Sequence, residues 1–300
     1  MRLDGRRTSS NIRDQRGRST GGFGFGGGGM GRGVRIGGGS FLGLLIAGVI
    51  VLLAGGNPLD LIQGYPSQDY TIVNRDGNYT PTAHEEELAT FASQILAGTE
   101  DVWTKKFSEM GRTYIPPKMV LFTGAVNSAC GGATASVGPF YCSADQTIYI
   151  DLSFFDQMER EMGAGGDFAF AYVIAHEVGH HVQYLLGTLQ EAHNMMARMP
   201  ETEANKLSVR TELQADFYAG VWAHGDNEMF GSLEEGDIEE GLNAASKIGD
   251  DYLQKQARGY AQPETFNHGR SDQRVRWLKR GATSGDITLG DTFSPSYNSL

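Results

Sequence analysis

Apolar residues along this chain follow different rhythms, and each predicts a different element. Phe41 to Ala54 (FLGLLIAGVIVLLA) is an unbroken apolar run without a charge. With Ile36 to Ser40 and Gly55 to Gly56 it reaches about 20 residues, just long enough to cross a bilayer. From His84 the apolar positions Leu88, Phe91, Ala92, Ile95, Leu96, Val102, Trp103 and Phe107 recur at steps of three and four behind Glu85 to Glu87, which predicts an amphipathic helix or helix pair. Pro116-Pro117 then interrupts. Lys118 to Thr123 (KMVLFT) and Gln146 to Leu152 (QTIYIDL) predict strands, the second with Ile148 and Ile150 on one face and Tyr149 on the other. Phe168 to Gly187 (FAFAYVIAHEVGHHVQYLLG) predicts a buried helix, and a further helical stretch runs from about Asn205 to His224.

Composition and charge divide the chain near its start. Gly21 to Gly39 is almost a low-complexity tract. The first forty residues hold eight arginines (Arg2, Arg6, Arg7, Arg13, Arg16, Arg18, Arg32, Arg35) against Asp4 and Asp14, a balance of +6, so a chain of net charge −11 leaves −17 for the remainder. So acidic a globular part argues against a nucleic-acid partner. Residues 1–40 read as a basic, glycine-rich, disordered arm, and 41–56 as an uncleaved transmembrane anchor, with a cleaved signal or a merely buried segment as the alternatives. Because these arginines precede the apolar run, the positive-inside rule leaves the N-terminus in the cytoplasm. It sends everything after Asn57 across the cell (inner) membrane, into a periplasm or the exterior. Residues 57–80, with Pro58 and Pro66, suit a linker, 81–290 a single domain, and 291–300 a flexible tail. Outside the cytoplasm Cys130 and Cys142, separated by a glycine-rich loop, are free to pair; two reduced core thiols are the alternative.

The chemistry lies in the middle of the apolar helix, at His176, Glu177 and His180. Residues four apart share one helix face, so both imidazoles reach a single metal ion while Glu177 stands beside it. An H-E-x-x-H match arises by chance in roughly one chain of this kind in a hundred. A chance match would fall on a solvated face, whereas ionisable groups inside an apolar helix cost several kcal/mol unless partnered. Gly179 suggests a close neighbour, since glycine costs about 1 kcal/mol in a helix relative to alanine. Two histidines leave zinc short of a protein ligand. The metzincin pattern fails, because positions 183 and 186 hold Gln183 and Leu186. Glu212, in the second helical stretch, is the best candidate. Asp216, one turn on, can accept a hydrogen bond from the far nitrogen of a ligand histidine. His181 points about 100° away from His180 and reads as a packing residue. His193, His224, Glu201 and Glu203 read as surface residues, and Arg274 and Arg276 as fold or surface charges, one of which could pair with an inner carboxylate.

HEVGHH followed by ELQAD resembles the gluzincin arrangement. Together with CGGATASVGPFYCSADQTIYIDLSFF and FNHGRSDQRVRW, it makes the chain resemble the neutral zinc metallopeptidase family of bacteria, the YpfJ-like proteins, over most of its length. The resemblance implies an α+β fold, mainly helical and zincin-like with a small sheet, here preceded by one transmembrane helix. It implies Zn2+ as cofactor, Glu212 as third ligand with Asp216 as its companion, and a protein or peptide substrate. His268, in Asn267-His268-Gly269-Arg270, is similar to C-terminal histidines that face the site in related peptidases, which implies a transition-state role; a structural histidine is the alternative. The expected reaction is peptide hydrolysis, with Glu177 as general base towards a water made acidic by the metal. The strand Gln146 to Leu152 is a candidate for binding substrate as an added strand. Two other functions compete: a zinc hydrolase of non-peptide acyl substrates, and a non-catalytic, membrane-tethered scaffold with structural zinc.

Overall fold

In a computed structural model, which describes residues 1–18, 79–134 and 138–300, eight α-helices among the described residues pack around a small sheet. The strands are β1 (Ile12–Asp14), β2 (Lys118–Phe122), β3 (Ala125–Ser128), β4 (Gly131–Thr134), β5 (Phe140–Cys142) and β6 (Thr147–Asp151). The helices are α1 (Ala83–Glu109), α2 (Ser153–Met162), α3 (Asp167–Leu186), α4 (Thr188–Met196), α5 (Glu201–Phe230), α6 (Asp237–Lys247), α7 (Asp250–Arg258) and α8 (Ser271–Ser284). The architecture is mainly helical α+β, as the resemblance implies.

The main sheet has the order β1-β2-β6-β5, with β1, β2 and β6 parallel and β5 antiparallel to β6. Alternation sorts its side chains. Met119, Leu121, Ile148 and Ile150 face the helices and join the large core. Val120, Phe122, Tyr149, Phe140 and Cys142 face the other way and form a second core under the β3–β4 hairpin. The strand predicted at Gln146 to Leu152 is therefore central, with neighbours on both sides, and has no edge to offer a substrate. β5, by contrast, is an edge strand, which pairs only with β6 among the described residues. The Cys130–Cys142 disulfide ties β5 to the hairpin.

Local signals set the helix ends. α1 starts with a capping box: Thr82 Oγ1 accepts from the Glu85 amide, and the Glu85 carboxylate accepts from the Thr82 amide. Gly187, at φ +88°, ends α3 and turns the chain into α4. α5 and α8 cross at Gly220 and Gly281, where added Cβ atoms would collide with the backbone of the opposite helix. This contact carries the start of α8 to the middle of α5.

Three expectations for the chain ends are corrected. Residues 1–18 are ordered on the domain, because their charges have partners there. Arg6 pairs with Asp226 at 2.8 Å, Arg7 with Glu100 and Asp101, and Arg16 with Asp14 and Glu86, while Ile12–Asp14 adds to the sheet beside β2. Residues 291–300 are packed as well: Arg210 donates to the Thr292 and Pro295 carbonyls, Arg276 to the Leu300 carbonyl, and Leu300 is buried. The third correction concerns location. Among the described residues no helix is long and apolar enough to cross a membrane, and the expected anchor at 41–56 lies outside the described residues. A single crossing would put residues 1–18 and the domain on opposite sides, yet β1 is a strand of the domain's own sheet. The expected single-pass topology, with a cytoplasmic N-terminus and a domain beyond the membrane, is overturned.

Candidate metal centre

α3 and α5 supply the site, and they come close because Gly179 lacks a side chain. A Cβ there would lie 2.8 Å from the Ala215 carbonyl oxygen and 3.1 Å from the Ala215 Cα. Backbone meets backbone at this point, between Glu212 and Asp216. The expectation of a close neighbour at Gly179 is thereby explained.

His176, His180 and Glu212 converge, each offering a ligand atom within 4.8 Å of the other two. His176 Nε2 is 3.2 Å from Glu212 Oε2, and His180 Nε2 is 3.4 Å from Glu212 Oε1. All three residues are buried. Despite this proximity, His176 Nε2 and Glu212 Oε2 have no hydrogen-bond partner, and neither does Glu177 Oε2.

Hydrogen bonds on the far side fix which way the imidazoles present themselves. His176 Nδ1 faces Asp216 Oδ1 at 2.8 Å. A carboxylate only accepts, so Nδ1 carries the proton and Nε2 turns a lone pair to the centre. For His180 the same logic runs through a chain of amides. Gln214 donates to the Gly290 carbonyl at 2.9 Å, and Gln183 donates to the Thr211 carbonyl at 2.7 Å and to Gln214 Oε1 at 3.1 Å. Gln183 Oε1 is therefore an acceptor, and His180 Nδ1, 2.9 Å away, must donate to it. Two neutral imidazole lone pairs and a carboxylate around orphaned, buried atoms form the donor set that zinc takes. The residues fit a zinc ion.

The chain matches, over residues 1–293, the family described as "Putative neutral zinc metallopeptidase". It belongs to that family. The protein YpfJ of Escherichia coli K12, titled uncharacterized, is 47% identical over 296 residues, covering 99% of this chain and all of the relative. An uncharacterized protein of Mycobacterium bovis is 44% identical over 191 residues, 60% of this chain and 64% of the relative. No solved structure matches.

In this member of the neutral zinc metallopeptidase family the surroundings of the three residues set their charges. Burial works against a charge on His176, but in the metal-free site Asp216 and Glu212 outweigh it and raise the imidazole to about 9, so a metal ion at Nε2 would take the place of that proton. Burial would likewise raise Glu212, yet the two imidazoles hold its carboxyl well below the usual carboxylate range. Burial raises Glu177. Asp216 is fully buried and kept ionised by Arg274, which donates to both of its oxygens at 2.8 and 2.9 Å, while the Tyr172 hydroxyl donates to Oδ1 at 2.6 Å.

The structure thus brings together His176, Glu177, His180, Glu212 and Asp216, and makes Arg274 the arginine that pairs with an inner carboxylate. His268 is not among the converging groups. Its Nδ1 meets Asp250 Oδ1 at 2.9 Å, and its amide donates to Asp250 Oδ2 at 2.7 Å. Glu201 and Glu203 are exposed, and His224 bonds the Ala282 carbonyl. Sequence reasoning missed Tyr172, Gln183 and Gln214, and read His193 as a surface residue. Tyr172 and Gln183 carry a detectable signal, lying one turn before His176 and one turn after His180. His193, half-buried on α4, is close enough to His180 for its own protonation to be disfavoured, after the effect of burial.

Proposed function

We propose that this protein is a zinc metalloendopeptidase, with His176, His180 and Glu212 as zinc ligands and Glu177 as general base. The observation that carries the reading is the convergence of unpartnered, buried ligand atoms on one point with the unpartnered Glu177 carboxylate oxygen nearby. Zinc bound there supplies a Lewis acid for the scissile carbonyl and lowers the pKa of water to about 7.

The remaining work belongs to the chain. Glu177, whose pKa burial raises, takes a proton from water and delivers it to the leaving amine. Asp216 and Gln183 hold the two imidazoles so that the lone pairs stay inward. His268 is assigned the charge developing on the carbonyl oxygen. Two features support this: Asp250 fixes the ring through Nδ1, and Gly269 lies beside Leu213, the neighbour of Glu212. An extended peptide adds to the outer edge of β5, where backbone hydrogen bonds accept varied sequences. A purely structural zinc site has no use for a buried carboxylate beside the metal and normally closes its fourth position with another ligand.

The test uses the full chain, zinc analysis and a general protein substrate. Glu177→Gln should keep zinc and lose about a hundredfold or more of the cleavage rate. Glu212→Ala should lose the metal. Full zinc occupancy in Glu212→Ala refutes the ligand set, and wild-type cleavage by Glu177→Gln refutes the mechanism.

A further inference from the structure

His181 follows a proposed zinc ligand directly, yet its imidazole works in the opposite direction. It is fully buried, with both ring nitrogens engaged. Nε2 lies 2.7 Å from the Ile115 carbonyl, in the connection between α1 and β2, and Nδ1 lies 2.9 Å from the Tyr141 hydroxyl. A carbonyl cannot donate, so Nε2 carries the proton, Nδ1 accepts, and the tyrosine hydroxyl is the donor. The Tyr114 and Tyr141 rings pack edge-on against the imidazole at 5.9 and 5.4 Å. Leucine would fill much of this space but could neither donate to Ile115 nor accept from Tyr141.

Tyr141 is the middle residue of β5. The strand is three residues long and has one strand neighbour among the described residues, so main-chain bonding alone would leave it prone to fraying. Each of its side chains ties it to something else. Phe140 stacks on Tyr149 with ring centres 4.9 Å apart, Cys142 is bonded to Cys130, and Tyr141, on the other face, reaches His181 on the metal helix. The Tyr141 hydroxyl joins this edge to α3 by a hydrogen bond, at the residue after His180.

We propose that His181 is a positioning residue: through Tyr141 it pins the β5 edge at a fixed height over the metal helix, so that a peptide added to that edge arrives in register with the metal pocket. The inference rests on the peptidase reading and deepens it. Losing the tie leaves the ligands in place but makes each incoming peptide order the edge itself. The cost falls on binding rather than on the bond-breaking step.

Tyr141→Phe removes one hydroxyl and nothing else from the fold. It should raise KM about five- to tenfold, as expected for one buried acceptor left unpaired, with kcat within about twofold of wild type and zinc content unchanged. His181→Leu should do the same, and His181→Gln should restore KM, because an amide can donate to Ile115 and accept from Tyr141. Two readouts do not depend on turnover. Amide hydrogen exchange at residues 140–142 should accelerate in Tyr141→Phe and His181→Leu while α3 stays protected. The affinity of a fluorescent peptide for Glu177→Gln should fall by the same factor when Tyr141→Phe is added. If wild type cleaves peptides and both variants keep its KM and its β5 exchange rates, or if Tyr141→Phe loses zinc, the positioning role is refuted alone. A wild-type protein that holds zinc but neither binds nor cleaves peptide refutes the peptidase reading and this inference together.

Discussion

Gly179→Ala separates two opposite expectations with a single methyl group. In an unobstructed helix the substitution would add about 1 kcal/mol of stability, because alanine has the better helix propensity. Here the new Cβ would sit 2.8 Å from the Ala215 carbonyl oxygen and 3.1 Å from the Ala215 Cα. The first distance is about half an ångström short of ordinary carbon–oxygen contact. Both opposing atoms are backbone, so no rotamer change relieves the clash and α5 must move away from α3. Overpacking of this kind costs about 1–3 kcal/mol, which leaves the apoprotein destabilised by about 1 kcal/mol after the propensity gain is subtracted. The larger consequence is for the metal. Ala215 lies between Glu212 and Asp216, so the displacement is passed to one proposed ligand and to the partner of another. Metal–ligand distances tolerate only about 0.2 Å, and disturbing the groups that orient ligands weakens zinc by about 10- to 100-fold. Calorimetry in EDTA measures the first effect, and competition for zinc against a chromophoric chelator measures the second. A higher Tm with unchanged zinc affinity would show that the two helices do not meet as described.

Three further outcomes are expected. Arg6→Ala should lower stability by about 3 kcal/mol, because it leaves the buried Asp226 without its counter-charge; urea unfolding that matches wild type would mean that residues 1–18 do not fold on the domain. Burial pushes His181 down to about 4, against the upward pull of the Ile115 carbonyl. The unfolded chain therefore takes up a proton first. Stability from this group is complete above the ordinary histidine value near 6.5 and is lost as pH falls towards 4, about 3 kcal/mol over the window. Urea titrations in EDTA at several pH values should show a loss smaller by that amount in His181→Gln, and an equal loss would refute the burial argument. Arg274→Met leaves Asp216 with no cation except through His176 and should cost about 3–5 kcal/mol, read as a lower Tm in EDTA; an unchanged Tm would make Arg274 a bystander.

How much of this could be read from the chain depends on the distance over which each signal acts. His176, Glu177 and His180 were legible because helical spacing alone puts them on one face. Glu212 and Asp216 were legible because E-x-x-x-D repeats that spacing on a second apolar stretch. The pairing of Arg274 with Asp216 was not legible, since it depends on α5 and α8 meeting at Gly220 and Gly281, and nothing local marks two glycines as a contact. Strand order was hidden for a similar reason. Ile148 and Ile150 were placed on the correct face, but β6 is central only because β2 lies on one side of it and β5 on the other. The N-terminal arm misled most. Arginine and glycine in sequence look like a solvated, disordered flank, while the acids that neutralise them, Glu100, Asp101 and Asp226, lie far along the chain.

The two imidazoles show why the metal motif is not a self-sufficient unit. Each is oriented by a series of hydrogen bonds that ends well outside α3. For His176 the series is Asp216 and then Arg274, at the start of α8. For His180 it is Gln183, Gln214 and then the Gly290 carbonyl, beyond the end of α8. Both series leave through α5 and finish in the C-terminal part of the chain, which supplies no ligand. The two differ in charge. His176 is held by an anion that Arg274 neutralises in part, and His180 by a neutral amide. A carboxylate partner raises the basicity of a ligand imidazole, and Arg274 limits how far His176 is raised. The polypeptide that follows the H-E-x-x-H helix therefore sets the strength of the ligands as well as their direction, and a fragment ending before Arg270 would retain all three proposed ligands while losing control over both imidazoles.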